Sequence, residues 1–244
     1  MYQIYDTQVN KDILESLSYI ALESGINFSN KEQFHNILYK LYHFTKDSFV
    51  FDKGIQVLSV YAFSTENFKR SEEEVKYLMD IFVEWFNKEC DQIHDEDIKV
   101  VFSGRKENLR PDVLEAMEVI TERTKDNKKG IFNICLNYGG QQEIVDATKR
   151  IAEEVKEGKL SIEDINTEMM YKYMYQELPP VDFMIRTSGE ERVSNFLIYE
   201  ISYAEMYFPE VKFPDFNEEE FEKAIDEYNK RDRRFGGNTK WNKE

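Results

Sequence analysis

The sequence predicts an α/β fold: a single domain with a mostly parallel central sheet flanked by helices. Short apolar runs alternate with stretches that carry apolar residues at helical spacing, the pattern of strand–helix–strand units. A chain of 244 residues, 41% of them hydrophobic, can bury one full core. No repeat, low-complexity tract or Pro/Gly-rich linker divides it, so residues 1–244 read as one domain.

The elements follow in order. Tyr2–Tyr5 reads as a short strand. Ile13, Leu14, Leu17, Ile20 and Ala21 predict a helix over 10–24, with Asn10 as N-cap and Gly25 at the stop. Asn30 is placed to cap a second helix bearing Phe34, Ile37, Leu38, Leu41 and Tyr42. Gln56–Phe63 reads as a buried strand, and Ser71-Glu-Glu-Glu74 as a capping box for a helix to about Cys90. Lys99–Phe102 is a strand, and Pro111 opens a helix over about 111–125. Ile131–Leu136 is a strand, followed by a helix over about Gln141–Lys156. Val181–Ile185 is another strand, and Asn217 with three following glutamates caps a last amphipathic helix.

The balance of 32 basic against 48 acidic residues leaves a net charge of −16, which argues against nucleic acid as a partner. Two cysteines make no disulfide framework, and Cys135, in an apolar run, reads as a buried small residue. The start has no basic segment leading into an apolar one, and no uncharged apolar run approaches the length of a membrane span. A cytoplasmic protein with no transmembrane segment is expected.

In folds of this class ligands collect beyond the carboxyl ends of the strands. Three polar segments follow predicted strands: Ser64–Arg70, Asn137–Gly140 and Arg186–Ser194. The last is the most telling. Arg186-Thr-Ser-Gly-Glu-Glu-Arg-Val-Ser-Asn-Phe196 sets two guanidiniums, a hydroxyl and a glycine after an apolar run, which suits a diphosphate. Glu205, nine residues beyond Phe196, is a hard oxygen ligand of the kind Mg²⁺ prefers. By spacing alone, a solvated Arg-rich turn is an equally open reading of the loop, and a surface salt bridge is the alternative for Glu205.

That segment closely resembles the Arg-Thr-x-Gly-Glu-x-Arg-x-Ser-Asn-Phe motif of the cis-prenyltransferases, the undecaprenyl diphosphate synthase family. Tyr61-Ala-Phe-Ser-Thr-Glu-Asn-Phe-Lys-Arg70, Leu136-Asn-Tyr-Gly-Gly140, Phe213-Pro-Asp-Phe216 and Arg233–Gly237 resemble further family segments in the family's order, from about Lys31 to Gly237. The family's first motif, Met-Asp-Gly-Asn-Gly-Arg-Trp-Ala, has no match, and 1–30 is a divergent N-terminal segment.

The resemblance implies an enzyme that joins isopentenyl diphosphate to an allylic prenyl diphosphate, with Mg²⁺ as cofactor. Arg186, Arg192 and Ser194 match the positions that bind isopentenyl diphosphate. Ser64 and Asn67 match positions at the reacting centre that assist proton loss, and Arg70 matches one facing the allylic diphosphate. His35 matches a family histidine, and Lys31 falls where the family usually has arginine. Glu205 matches a metal-associated carboxylate. Asp6, after the predicted first strand, is the candidate for the missing metal aspartate. The separation from Asp6 to His35 is longer than the family's, and no glycine opens the backbone there. Phe63, Met79, Phe82, Val101 and Ile134 are candidates for an apolar channel by analogy, with ordinary core packing the favoured reading of each. A homodimer is implied, with transient membrane contact for a lipid product. Loss of the first motif leaves an alternative: a non-catalytic subunit in a heterodimer with a related chain.

Overall fold

The computed structural model describes residues 16–20 and 49–233. Among the described residues six strands form one sheet in the order β3-β4-β2-β1-β5-β6. They are β1 (Ser16–Ile20), β2 (Val57–Ser64), β3 (Ile98–Ser103), β4 (Gly130–Tyr138), β5 (Phe183–Arg186) and β6 (Glu205–Tyr207). Every pairing is parallel. The helices are α1 (Phe49–Asp52), α2 (Glu72–Asp95), α3 (Pro111–Thr124), α4 (Gly140–Lys156), α5 (Thr167–Tyr173) and α6 (Glu218–Asn229).

Successive strand residues point to opposite faces, so the sheet divides its apolar residues between two cores. Leu58 and Val60 of β2, Phe132, Ile134 and Leu136 of β4, and Phe183 and Ile185 of β5 enter the larger core, with the apolar stripes of α2, α3 and α6. The alternate residues Tyr61, Cys135 and Met184 enter a smaller core with Val181, Phe196, Leu197 and Ile201. The pairing of β2 with β4 slips at Tyr61–Ser64, so Ala62 and Phe63 both enter the larger core. Such an irregularity re-aims the residue that follows, here Ser64.

Most local signals have their expected result. Ser71 caps α2 with Glu74 in a capping box. Pro111 opens α3, and Asn217 accepts the Glu220 N–H at the start of α6. The helix α2 runs on to Asp95 because Phe86, Cys90 and Ile93 continue its buried stripe. The predicted helix over 10–24 is wrong across Ser16–Ile20, which is a strand. Leu17 and Ile20 fit a helical stripe, but β1 pairs on one side with β2 and on the other with β5, and this tertiary pairing outweighs local spacing. The predicted strand Tyr2–Tyr5 and the second helix, capped by Asn30, lie outside the described residues.

The connections locate the ligand edge. From β1 the chain passes to β2 on one side, whereas from β5 it passes to β6 on the other. The gap between β1 and β5 is therefore a topological switch point, where a crevice opens beyond the carboxyl ends. Ile20 lies opposite Arg186 in that register, so Arg186 stands at the mouth of the crevice.

Candidate active site

The polar segments named from the sequence meet at this edge. Arg186 ends β5 and is completely buried. Its Nη1 donates to the Arg192 carbonyl at 2.7 Å and to Ser194 Oγ at 2.8 Å. The guanidinium thus folds the 186–194 loop around itself and fixes Ser194. Thr187, beside it, is also fully buried, and its hydroxyl has no hydrogen-bond partner among the described residues. The Arg192 guanidinium is exposed and pairs with Glu190. This is one fixed cation and one on the rim, a pair suited to a phosphate group that enters from solvent.

Ser64 ends β2, which β1 separates from β5, and is buried. Asn67 Oδ1 accepts the Ser64 N–H at 2.7 Å, and the Arg70 N–H donates to the Asn67 carbonyl at 3.0 Å. Ser64, Asn67 and Arg70 therefore share one tight turn at the edge. Thr65 Oγ1 donates to Glu66 in the same turn.

An aromatic layer supports both loops from below. Tyr61 stacks on Phe196 with ring centroids 4.5 Å apart. Tyr138 meets both rings edge-on. Tyr61 Oη donates to the Tyr138 carbonyl at 3.2 Å and lies 3.5 Å from that of Ser194. Sequence reading noted these residues only as parts of motifs, because a tyrosine in an apolar run carries no sign of which face it takes.

Glu205 stands elsewhere. It begins β6 and lies opposite Phe183, at the amino end of β5. That is three residues, or roughly 10 Å, back from Arg186 along the strand. Its carboxylate accepts from Arg231 at 2.9 Å, and the neighbouring Arg233 donates to Asp182 at 2.6 Å. The segment after α6 is thus tied to the amino end of the sheet. Asp6, Lys31 and His35 lie outside the described residues.

Phe63, Met79, Phe82 and Ile134 pack in the larger core, and Val101 is buried. Cys135 is completely buried, and burial holds its thiol well above the ordinary range, as suits an inert core residue.

Sequence reading missed an acidic pair beneath the edge. Glu143, in the first turn of α4, and Glu200 are both buried. Tyr138 Oη donates to Glu143 Oε2, and the Tyr175 N–H donates to Oε1 at 2.7 Å. The two carboxyls line a cavity of about 10 Å³, roughly one water, together with Ser59, Ser103, Asn133 and Gln176. Burial, and then the charge of Glu143, push the Glu200 carboxyl up from an ordinary 4.5 to about 8. The folded chain therefore keeps a proton that the unfolded chain releases above about 4.5. Stability from this group is complete below that value and is lost as pH rises through about 8. The Glu200→Gln variant is expected to flatten the loss. Denaturant unfolding at about pH 5 and about pH 8.5 checks it, and an equal loss in both proteins contradicts it.

Comparisons with known proteins show the family and the fold. The family model described as undecaprenyl diphosphate synthase matches residues 30–236. A tritrans,polycis-undecaprenyl-diphosphate synthase (geranylgeranyl-diphosphate specific) of Pyrococcus furiosus is 49% identical over 186 residues, covering 75% of this chain and 70% of that protein. An isoprenyl transferase of Clostridium perfringens is 44% identical over 185 residues, covering 75% of this chain and 73% of its own. The solved structure of lavandulyl diphosphate synthase from Lavandula x intermedia, in complex with dimethylallyl diphosphate, is similar with a TM-score of 0.86 and 27% identity. That likeness covers 93% of this chain and 99% of the other.

Proposed function

Because the chain belongs to the undecaprenyl diphosphate synthase family of prenyltransferases, we propose that it condenses isopentenyl diphosphate with an allylic prenyl diphosphate to form a cis-polyprenyl diphosphate. The observation that carries the reading is Arg186, buried at the switch-point edge with Ser194 and the Arg192 loop folded around its guanidinium.

In this reading Arg186, Arg192 and Ser194 hold the diphosphate of isopentenyl diphosphate. Fixing it there presents the alkene to the allylic carbon, a proximity effect that removes much of the entropic barrier. Arg70 faces the allylic diphosphate, which leaves as the new carbon–carbon bond forms. Ser64 and Asn67, at the same sheet edge beyond β2, are proposed to stand where hydrogen bonds assist the loss of a proton from the joined product. Lys31 and His35 are proposed to complete the allylic diphosphate site.

Mg²⁺ takes one or two carboxylates from protein and much of its shell from substrate phosphates and water. Among the described residues no three His, Cys, Asp or Glu side chains group as metal ligands. The carboxylate of Glu205 suits Mg²⁺ chemically, once Arg231 releases it. A homodimer, as the family resemblance implies, belongs to the proposal. Asp6 is proposed as the other carboxylate. Bound Mg²⁺ would offset charge on the leaving diphosphate.

The alternative reading, a non-catalytic subunit of a heterodimer, has no support from the relatives, which are themselves named as synthases and transferases. A cytoplasmic location with transient membrane contact for the lipid product accompanies the proposal. Among the described residues no helix is long and apolar enough to cross a membrane.

Incorporation of labelled isopentenyl diphosphate tests the reading, with geranyl, farnesyl and geranylgeranyl diphosphates as acceptors and Mg²⁺ present or chelated. Label is expected in longer prenyl diphosphates when Mg²⁺ is present. Product lost in Asp6→Ala supports Asp6 as a metal ligand, whereas product retained discards it and keeps the enzyme.

A further inference from the structure

Asn195 lies between two groups assigned above to the substrates, yet no role has been given to it. Its backbone is left-handed, with φ of 64°, and so is that of Ser194, with φ of 46°. Asparagine tolerates this region better than most residues, but two such residues in succession persist only where the surroundings fix them.

The fixing contacts reach two other loops. The Asn195 carbonyl accepts the Gly140 N–H at 2.7 Å, and its Oδ1 accepts the Gln141 N–H at 2.8 Å. Both donors are amides of the first turn of α4, which have no partners within the helix. The residue in the N-cap position is Gly139, which has no side chain to offer them. Asn195 therefore caps α4 from another loop. On its other side, Nδ2 donates to Gln142 Oε1 at 3.0 Å and to Glu66 Oε1 at 3.3 Å. Glu66 sits between Ser64 and Asn67 in the turn after β2. A single side chain thus joins the ends of β2, β4 and β5.

Gly139 leaves the room for this. A Cβ there would lie 2.3 Å from Gln142 Oε1, 2.8 Å from Asn195 Nδ2 and 2.9 Å from Thr65 Oγ1. The glycine of this turn is accounted for by the close approach of Gln142 and of the β2 and β5 loops, not by an unusual φ of its own.

We propose that Asn195 is a positioning residue that locks the Arg186–Ser194 loop to the Ser64–Asn67 turn, so that the two sides of the reaction centre keep one spacing. The proposal rests on the function given above for those two loops. The asparagine side chain has two separable parts. Its oxygen caps the helix, while its nitrogen makes the link to Glu66. A displacement of about 1 Å between reacting groups lowers a rate by about a hundredfold, so the link bears on turnover as well as binding.

The two parts can be tested separately. Asn195→Asp keeps the capping oxygen and suits a helix N-terminus, but sets a carboxylate against Glu66. Its melting temperature is expected to stay within about 3 °C of wild type, while kcat/KM for isopentenyl diphosphate falls by about tenfold or more. Glu66→Gln in the same chain returns a donor to the pair with its direction reversed. The Asn195→Asp/Glu66→Gln double variant is expected to regain about fivefold or more.

Activity within about twofold of wild type in Asn195→Asp overturns the proposal. So does a loss that tracks a lower melting temperature, or one that the double variant does not rescue. Calorimetric binding of inorganic pyrophosphate separates this proposal from the functional reading. If wild type binds pyrophosphate but makes no product with any acceptor, the functional reading fails. The lock is then judged by binding, which Asn195→Asp should weaken by about threefold or more and the double variant restore. A wild-type chain that binds no pyrophosphate and forms no product overturns both.

Discussion

Replacing Arg186 with alanine is expected to lower kcat/KM for isopentenyl diphosphate by about a thousandfold or more. The substitution removes a fully buried cation at the switch-point edge and leaves both the Arg192 carbonyl and Ser194 Oγ without the donor that folds the loop. Loss of a preorganised donor alone commonly costs about a hundredfold to a thousandfold, and here the positions of Ser194 and Arg192 are lost with it. Arg186→Lys separates charge from shape. A lysine keeps the cation, but its ammonium cannot reproduce the planar fork, so a loss of about a hundredfold is expected. Steady-state kinetics read both variants. An Arg186→Ala protein that is folded, by circular dichroism, and within about tenfold of wild type would remove Arg186 from the site.

The largest effect on stability is expected at Gly104, which follows β3. Its φ is 139°, and an added Cβ would stand 1.9 Å from the Leu136 carbonyl oxygen. That oxygen belongs to β4, which pairs with β3 on one side and β2 on the other, so it cannot move without breaking the sheet. Gly104→Ala is expected to destabilise the fold by about 4 kcal/mol or more, a large share of what a domain has. The melting temperature would fall by about 8–16 °C. Gly54 supplies the control, since its φ is 87° but a Cβ there would meet nothing within 4 Å. Gly54→Ala isolates the backbone penalty, expected at about 1 kcal/mol. Equal shifts in the two variants would show that the clash with Leu136 is not what matters.

Much of this was legible in the sequence because the signals are local. Capping residues, prolines and apolar spacing mark α2, α3, α4 and α6 without reference to the rest of the chain. The strands β2, β3 and β4 are long and apolar enough to stand out. Ser16–Ile20 is different, because a five-residue segment with Leu17 and Ile20 fits either period. What decides it is a place between two strands distant in sequence, and no local spacing records that. The three-residue β6 carries too little pattern to be found at all.

The candidate site divides in the same way. Arg186, Arg192 and Ser194 lie within nine residues, so a motif contains them, and the turn from Ser64 to Arg70 is equally local. The separation of Glu205 from Arg186 is a matter of strand register, which follows from the pairing of β5 with β6. Asn195 stands inside the motif, but its partners Glu66 and Gln142 are 129 and 53 residues away. The Glu143–Glu200 pair is likewise assembled by the fold, and nothing in either segment announces the other.

The central claim is that this edge of the sheet joins prenyl units and sets a cis double bond. The most direct measurement takes the purified chain with isopentenyl diphosphate, farnesyl or geranylgeranyl diphosphate and Mg²⁺. Released diphosphate is counted, and the geometry of each new double bond is read by NMR. The account predicts one diphosphate released for each unit added and a cis configuration at every new bond. Absence of both extension and diphosphate release with every acceptor would contradict it.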